Sequence, residues 1–542
     1  MIRQEIIKLV QKATGESQEK IQVAYPEGQG FGDYTTNIAL RLKKPATEIA
    51  GKLKSDLFEK VEVAGPGFIN FFINKNFLQK QIGEILKQKE SFGKLRIGRG
   101  QKVNVEFISA NPTGPLTLGN GRGGFCGDVL ANVLNKAGYQ AKREYYINDT
   151  GEQIKKLGHS VIGDSEAVYQ GQYIEELKKK IKGSDPGKVG QAAAKAVLQE
   201  MIKPTVKKMK IKFDVWFSEK SLYKKNEVKK VLELLKNKGL TYEAEEAEGA
   251  PPASLREQAR LRSVAGRALW FKSTQFGDDK DRVLIKAGGP ARNASHSDAG
   301  GEKTYLASDA AYLKNKFARG FQKLIFFWGA DHYGYVARIK AAAEALGYNK
   351  EQINIIVMQL VRLIREGQEV RMAKRTGTYV TLDELIDEVG LDVTRFFFLA
   401  RGADTHLNFD LALAKKQSED NPVYYIQYAH ARICSILAKS KIKAKASVVD
   451  YKLLCHPSEL GLIKQLIKLP EIIEDTARDY QVQRLPQYAT DLATAFHQFY
   501  RDCQVLSENI HLAQARLSLV SATQIVLKNT LSLMGISAPE KM

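Results

Sequence analysis

Apolar positions change their period several times along the chain, and each change marks a new kind of element. The run VEVAGPGFINFFI from Val61 alternates on both sides of a Gly-Pro-Gly, which predicts two short strands joined by a tight turn. Amphipathic spacing before it predicts helices, so residues 1–75 read as a small α+β module. Residues 76–100 read as a helix and a basic linker. At Val103 the texture changes. VNVEFIS is a short run of β-branched and aromatic residues, FCGDVLANVLNKAGY has a helical period that stops at Gly138, and AKREYYIND returns to a strand pattern. Strand, helix and strand at this spacing predict a parallel βαβ unit.

Residues 161–300 are lysine-rich and mostly helical in pattern. With the acidic stretch from Glu243 and the Gly/Ser/Asn-rich loop from Ala287, they read as insertions into the α/β region. The α/β texture resumes at Thr304. KLIFFWGADHYGYVARIKAAAEALG predicts a strand, a polar turn and a helix, INIIVMQLVRLI another strand, and DELIDEVG a helix. From residue 421 to 542 the apolar residues keep a helical period, which predicts a separate bundle.

Composition adds three constraints. A chain of 542 residues exceeds what one core fills and implies several domains. The net charge of +21 points to a polyanion partner, although a lysine-rich solvated surface accounts for it equally well. The four cysteines and eight histidines show no zinc-knuckle or HExxH spacing, so no dedicated metal cage is expected. No apolar run reaches the roughly 18 residues of a membrane span. The N-terminus alternates charged and apolar residues without a signal core, which implies a cytoplasmic protein and no membrane partner.

The chemistry concentrates in the loop after the first α/β strand. Five glycines lie between Gly114 and Gly124, so backbone can approach a ligand, and the loop runs into a helix N-terminus that attracts phosphate. Thr117 and Asn120 add side-chain donors one turn apart. GNGRGG also matches a dinucleotide fingerprint, but its first glycine comes about ten residues after the strand, where that fingerprint follows at once. GxxxxGK[ST] does not occur, which excludes a P-loop. A glycine loop that merely turns the chain is the third reading. Further on, RMAKRTGT from Arg371 sets Lys374 between two arginines on a glycine-containing turn suited to a triphosphate. TYLASDAAY and WGADHYGY read as strand ends carrying Asp309 and Asp331, carboxylates able to hold a cation. Asp309 is also a possible N-cap for the helix after it. His332 suits a nucleotide contact or a packed turn.

Taken together, these segments resemble class I aminoacyl-tRNA synthetases. PLTLGN is similar to the HIGH signature and RMAKR to the KMSKS signature, in the expected order. ANPTGPLTLGNGRGG, REYYINDTGEQI, TYLASDAAY, GADHYGYVAR and NPVYYIQYAHAR, with the C-terminal FHQFYRDC and MGISAPEKM, resemble the arginyl-tRNA synthetase family over essentially the whole chain. The resemblance implies an N-terminal additional domain at 1–75, a Rossmann-type α/β catalytic domain at 101–420 with insertions at about 161–300, and an all-α anticodon-binding bundle at 421–542. It implies ligation of L-arginine to tRNA(Arg) through an arginyl-adenylate, ATP with Mg²⁺, bound tRNA for activation, and a monomer.

By position, Thr117, Gly119, Asn120, His332, Met372, Lys374 and Arg375 would hold ATP. Thr117, Asn120 and Lys374 would carry the catalysis. Glu106, Asn111, Tyr305, Asp309 and Asp331 would line the arginine pocket, with Asp309 facing the guanidinium. Phe68 and Asn70 would meet the tRNA elbow, and Tyr425, Tyr428 and Arg432 the anticodon. Thr117 and Asn120 stand where HIGH has histidines, and Arg371 and Ala373 replace Lys and Ser of KMSKS. Phosphate stabilisation would therefore rest on backbone amides and Lys374. Two rivals remain: a tRNA-binding paralogue without turnover, and a nicotinamide-dependent oxidoreductase built on GNGRGG.

Overall fold

The computed structural model describes residues 1–28, 30–245, 267–287, 301–370, 380–440 and 449–542. They form two compact units, one of residues 1–97 with 416–542, the other of residues 98–415.

In the first unit, β1 (Tyr34–Thr36), β2 (Phe58–Ala64) and β3 (Phe68–Ile73) make an antiparallel sheet in the order β1-β3-β2. Ala64 pairs with Phe68 across the Gly-Pro-Gly turn that the alternation predicts. Residues 76–100 open with the predicted helix. Lys75–Gln88 is an amphipathic helix whose Leu78, Ile82 and Ile85 are buried, and Gln79 Nε2 donates to the Leu454 carbonyl at 2.9 Å. An apolar stripe of this length must be covered, and here C-terminal residues of the same unit cover it. Five helices longer than one turn follow, Pro422–Lys439, Pro457–Leu466, Leu469–Asp479, Arg484–Asp502 and Ile510–Met534.

The two sequence segments of this unit meet around one buried carboxylate. Glu471 accepts hydrogen bonds from the Arg3 backbone N–H at 2.9 Å and the Tyr25 hydroxyl at 2.6 Å, with the Tyr34 hydroxyl at 3.2 Å. The Arg3 guanidinium also forks onto Asp475. A buried charge this thoroughly met is costly to unpair, so it fixes one arrangement of the two segments.

The second unit is built on a parallel sheet. Its first strands are β4 (Lys102–Glu106), β5 (Gln140–Ile147) and β6 (Val215–Ser218). A small antiparallel sheet of β7 (Thr241–Ala244), β8 (Ala268–Phe271) and β9 (Arg282–Ile285) comes next. β10 (Lys323–Gly329) and β11 (Ile353–Met358) then complete the parallel sheet in the order β11-β10-β4-β5-β6.

One expectation is corrected here and one is completed. The described residues of 161–300 are mostly helical, as the pattern predicts, and they also supply the edge strand of the main sheet and a sheet of their own. These strands are only four residues long, too short to leave a periodic signal. INIIVMQLVRLI is two strands. β11 ends at Met358, and β12 (Val361–Arg365) joins another sheet with β13 (Gln368–Val370) and β14 (Leu407–Asp410). A continuous apolar run carries no mark of where the chain changes sheet.

Strand order reverses between β4 and β10, since the chain leaves β4 towards β5 and returns to the other side of β4 as β10. In an open parallel sheet, the carboxyl ends on either side of that switch leave a crevice.

Candidate active site

At the end of β4 the chain turns sharply off the sheet. Ile108 and Ser109 adopt left-handed backbone angles, with φ of 64° and 39°, a strained choice for a β-branched residue. Neighbouring side chains hold the turn. The Ser109 hydroxyl accepts from the Tyr146 N–H at 3.0 Å, and the Tyr145 hydroxyl donates to the Ala110 carbonyl at 2.9 Å.

The loop ends at Thr117, the N-cap of the helix Leu118–Lys136. Asn120 Oδ1 accepts from the Thr117 N–H at 3.0 Å and from its hydroxyl at 2.9 Å. The carbonyl end of Asn120 is thus committed to the cap, and its Nδ2 is the end left for a ligand.

The glycines divide into two sets. A Cβ at Gly121, Gly124 or Gly127 would come within 2.6 Å of Leu382, 2.7 Å of Met209 or 2.3 Å of Phe107. Spaced by three, these glycines let the helix pack closely. At Gly119 and Gly123 the nearest atoms lie at 3.8 and 4.0 Å, and both line a cavity. Room for a ligand to approach the backbone is left at the second set.

That cavity has a volume of about 360 Å³. Ile108, Thr117, Gly119 and Asn120 form one wall, and Trp328, Gly329, Met358, Gln359, Leu360 and Val361 another. It therefore sits at the switch-point crevice, beyond the ends of β4, β10 and β11. Leu360 is 61% exposed, an apolar side chain offered to the opening. Thr117 forms an antiparallel bridge with Thr381, and the Leu382 N–H donates to the Leu116 carbonyl at 3.0 Å. The segment after β13 accordingly returns beside the helix start. Met372, Lys374 and Arg375 belong to that segment and lie outside the described residues.

Asp331 and His332 stand on the 3₁₀ turn Ala330–Tyr335, and their side chains are 81% and 61% exposed. His332 Nε2 is 3.6 Å from the Asp331 carboxylate. Asp331, which the resemblance assigns to the arginine pocket, lines the cavity beside Thr117. It follows an apolar strand that ends at Gly329, so the turn carries it outward.

Thr304–Tyr312 is not a strand end. Thr304 caps the helix Tyr305–Ala318, which puts Asp309 in the second turn, too far along to serve as an N-cap. The Tyr335 hydroxyl donates to Asp309 Oδ2 at 2.7 Å. Burial raises the Asp309 carboxyl to about 7, with Glu219 and Glu106 adding to the rise against that hydrogen bond. Glu219 is buried and is likewise raised, by burial first and then by Asp149. Among the described residues, no Lys or Arg forms an ion pair with either acid. Tyr146, Tyr223, Tyr305 and Tyr335 feel these acids, their phenols raised by burial and then by nearby carboxylates. Uncompensated acids among aromatic rings define a site for a cation.

Two other expected pocket residues have partners already. Glu106 accepts from Tyr312 at 3.0 Å and pairs with buried Lys316 at 2.8 Å, so it is not a free guanidinium partner. Asn111 Nδ2 donates to Gln153 at 2.6 Å. Glu219 is the residue that sequence reasoning missed. It stands at the carboxyl end of β6, where ligand-binding acids of parallel sheets belong, but the four-residue strand before it was hidden in the lysine-rich region.

In the first unit, Phe68 is 39% exposed whereas Asn70 is 4% exposed. Side chains alternate along a strand, so Asn70 shares a face with Phe68; it is buried mid-strand between Thr35 and Glu62, while Phe68 at the strand end offers exposed surface. Tyr425, Tyr428 and Arg432 lie on one half-buried face of Pro422–Lys439. Tyr425 packs on His497 with ring centroids 4.8 Å apart, and the Arg432 guanidinium lies 5.0 Å over Tyr428 and 5.2 Å over Tyr500. Packing thus claims Tyr425 in part, while Tyr428, Tyr500 and Arg432 make an aromatic and cationic surface.

The second unit thus combines a parallel sheet with a cavity at its switch point, a capped helix end and acids that no described Lys or Arg pairs, the layout of an α/β enzyme. Residues 1–73 match the family profile described as the arginyl tRNA synthetase N terminal domain, and residues 426–542 match the DALR anticodon binding domain. The arginine–tRNA ligase 1 of Halalkalibacterium halodurans is 40% identical over 100% of this chain and 98% of its own length. The arginine–tRNA ligase of Caldanaerobacter subterraneus subsp. tengcongensis is 43% identical over 97% and 94%. The solved arginyl-tRNA synthetase of Thermus thermophilus covers all of both chains with a TM-score of 0.76 at 22% identity, a likeness of fold. The chain belongs to the arginyl-tRNA synthetase family, the arginine–tRNA ligases.

Proposed function

We propose that the cavity beside Thr117 takes ATP and that Asp309 and Glu219 take the guanidinium of L-arginine, the two substrates meeting at the end of β4. The observation that carries this reading is that Trp328, which lines the cavity at the helix start, packs on Tyr335, the residue that donates to Asp309. The first-turn amides, Gly119 and the Asn120 amide face the phosphates, since helix ends favour anions. Leu360 and Trp328 cover apolar parts of the nucleotide. The Arg side chain presents a fixed fork of donors to two acids, whereas lysine offers a point charge, so the pair selects arginine.

In the first step the arginine carboxylate attacks the α-phosphorus and diphosphate leaves with the bond electrons, giving arginyl-adenylate. In the second, a terminal ribose hydroxyl of the tRNA attacks the arginyl carbonyl, loses its proton, and AMP leaves. Mg²⁺ enters as part of the ATP substrate. Among the described residues no group of three or more His, Cys, Asp or Glu is placed to hold a metal. Lys374 is assigned the charge developing at the α-phosphate. Its segment leaves from β13 and returns at Thr381 beside Thr117, which supports that role. Tyr428, Tyr500 and Arg432 offer stacking and hydrogen-bonding groups for anticodon bases, and Phe68 an aromatic contact for the tRNA elbow.

Charging of tRNA(Arg) with radiolabelled arginine tests the reading. Arginyl-tRNA should form only with ATP and arginine together, and Lys374→Ala should slow it about a hundredfold while tRNA affinity stays within about twofold. A folded, tRNA-binding protein that forms no arginyl-tRNA would instead be a paralogue without turnover. Full activity in Lys374→Ala would remove that lysine from the chemistry.

A further inference from the structure

One buried charge near the cavity has no part in the reaction described above. Arg122 lies on the helix Leu118–Lys136, one turn below the residues assigned to the phosphates, and its side chain is fully buried. No carboxylate among the described residues pairs with it. Its guanidinium donates instead to three backbone carbonyls, those of Gln359 at 2.8 Å, Gly402 at 2.7 Å and Thr405 at 2.8 Å. Burial pulls its pKa below the usual arginine value, so the charge is held at a cost. A planar fork of donors is the side chain that can reach three carbonyls at once.

The carbonyls belong to the two chain segments that carry the far wall of the cavity. Met358, Gln359, Leu360 and Val361 form that wall, and Thr117, Gly119 and Asn120, on the same helix as Arg122, form the near one. The segment 401–407 backs the far wall. The Gln359 N–H donates to the Ala403 carbonyl at 2.8 Å, the Leu407 N–H donates to the Leu360 carbonyl at 3.1 Å, and β12 pairs with β14 from Val361 onwards. The far wall and its backing are thus zipped together, and a single guanidinium ties both to the helix that forms the near wall. The same far wall continues as β12 and β13 into the segment bearing Lys374.

We infer that Arg122 is a positioning residue for ATP: it sets the width of the cleft between the phosphate-binding helix end and the 358–361 wall. This rests on the ATP reading of the cavity given above. The acids that take arginine belong to other elements, β6 and the helix Tyr305–Ala318, so loosening this tie affects ATP and spares arginine.

Aminoacylation at saturating tRNA, measured for wild type, Arg122→Lys and Arg122→Gln, tests the inference. Lysine keeps the charge but lacks the fork, so the KM for ATP should rise about tenfold in Arg122→Lys and further in Arg122→Gln. The KM for arginine and the Kd for tRNA should stay within about twofold. An unchanged ATP KM overturns the inference, and so does a common rise of all three constants, which would mark general loosening. A second measurement needs only the wild-type enzyme. Hydrogen exchange at the Gln359 and Leu407 amides should slow several-fold on adding a non-hydrolysable ATP analogue, and unaltered exchange in an enzyme that binds the analogue overturns the inference. Failure of wild type to use or bind ATP would count against the underlying reading of the cavity instead.

Discussion

Two carboxylates of the second unit, buried Glu144 and half-buried Asp309, face opposite circumstances. Glu144 on β5 receives both terminal nitrogens of Arg319, at 2.6 and 2.8 Å, and Lys316 at 3.2 Å. Burial alone would raise its pKa, but Lys316 and then Arg319 outweigh that and bring it down to about 2. Asp309 has one hydroxyl donor and acidic neighbours, and it rises to about 7. The first acid is finished by the protein's own cations. The second lacks one, and in the proposed reading its partner is the guanidinium of the substrate. Buried charge that is satisfied specifies a structure, whereas buried charge left unsatisfied marks a binding site.

The sharpest way to break this comparison is to remove each acid in turn. Asp309→Ala should lower kcat/KM for arginine about a thousandfold, roughly 4 kcal/mol, because a buried ionic contact to the substrate is lost. The thermal midpoint at pH 8 should hold or rise. Asp309 ionises less readily in the folded chain than in the unfolded one, so its contribution to stability declines as pH climbs from about 4 to about 7 and stays low above that. Steady-state charging and thermal unfolding check both halves, and a folded variant with unchanged arginine kcat/KM would dissolve the distinction.

Glu144→Gln should do the reverse. It strands Arg319 and weakens the hold on Lys316, costing about 3 kcal/mol in denaturant unfolding, while the KM for arginine stays within about threefold. The sign of its pH dependence is also reversed. With a folded pKa of about 2, its contribution is complete above the unfolded carboxylate range near 4.5 and fades as acid approaches 2. Glu219→Gln is the mildest of the three. It removes the second acid of the cation site and relieves part of the repulsion on Asp309, so the KM for arginine should rise about tenfold and the Asp309 pKa should fall. Carbon-detected NMR of labelled aspartate reads the latter directly.

The contrast between these acids was only partly legible in the amino-acid sequence. The large pattern was plain: long periodic helices, the βαβ unit after Val103, the Gly-Pro-Gly hairpin and the final bundle follow from hydrophobic spacing that tertiary packing reinforced. Thr117, Asn120, Asp309 and Tyr305 were singled out because signature-like strings surround them. What sequence could not supply was pairing. Glu106 and Asp309 both stand in site-like contexts, yet only coordinates show that Lys316, more than two hundred residues from Glu106, already claims the former. Glu219 went unseen because a four-residue edge strand leaves no period, and the burial of Asn70, on the same strand face as exposed Phe68, is not written in the alternation. The glycine run was read as one device when it is two, since close helix packing and ligand approach demand the same residue type.

The central claim, that Asp309 waits for a cation it can hold only when ionised, is tested most directly by the pH dependence of L-arginine binding to the wild-type enzyme. Calorimetric titration between pH 5.5 and 8.5 should show affinity climbing with pH and levelling above about 7, about tenfold weaker at pH 6 than at pH 8, with proton release on binding at the acid end. In Asp309→Asn the residual affinity should be flat across that range. Affinity that is independent of pH in the wild-type protein, with no proton released near pH 6, would contradict the account.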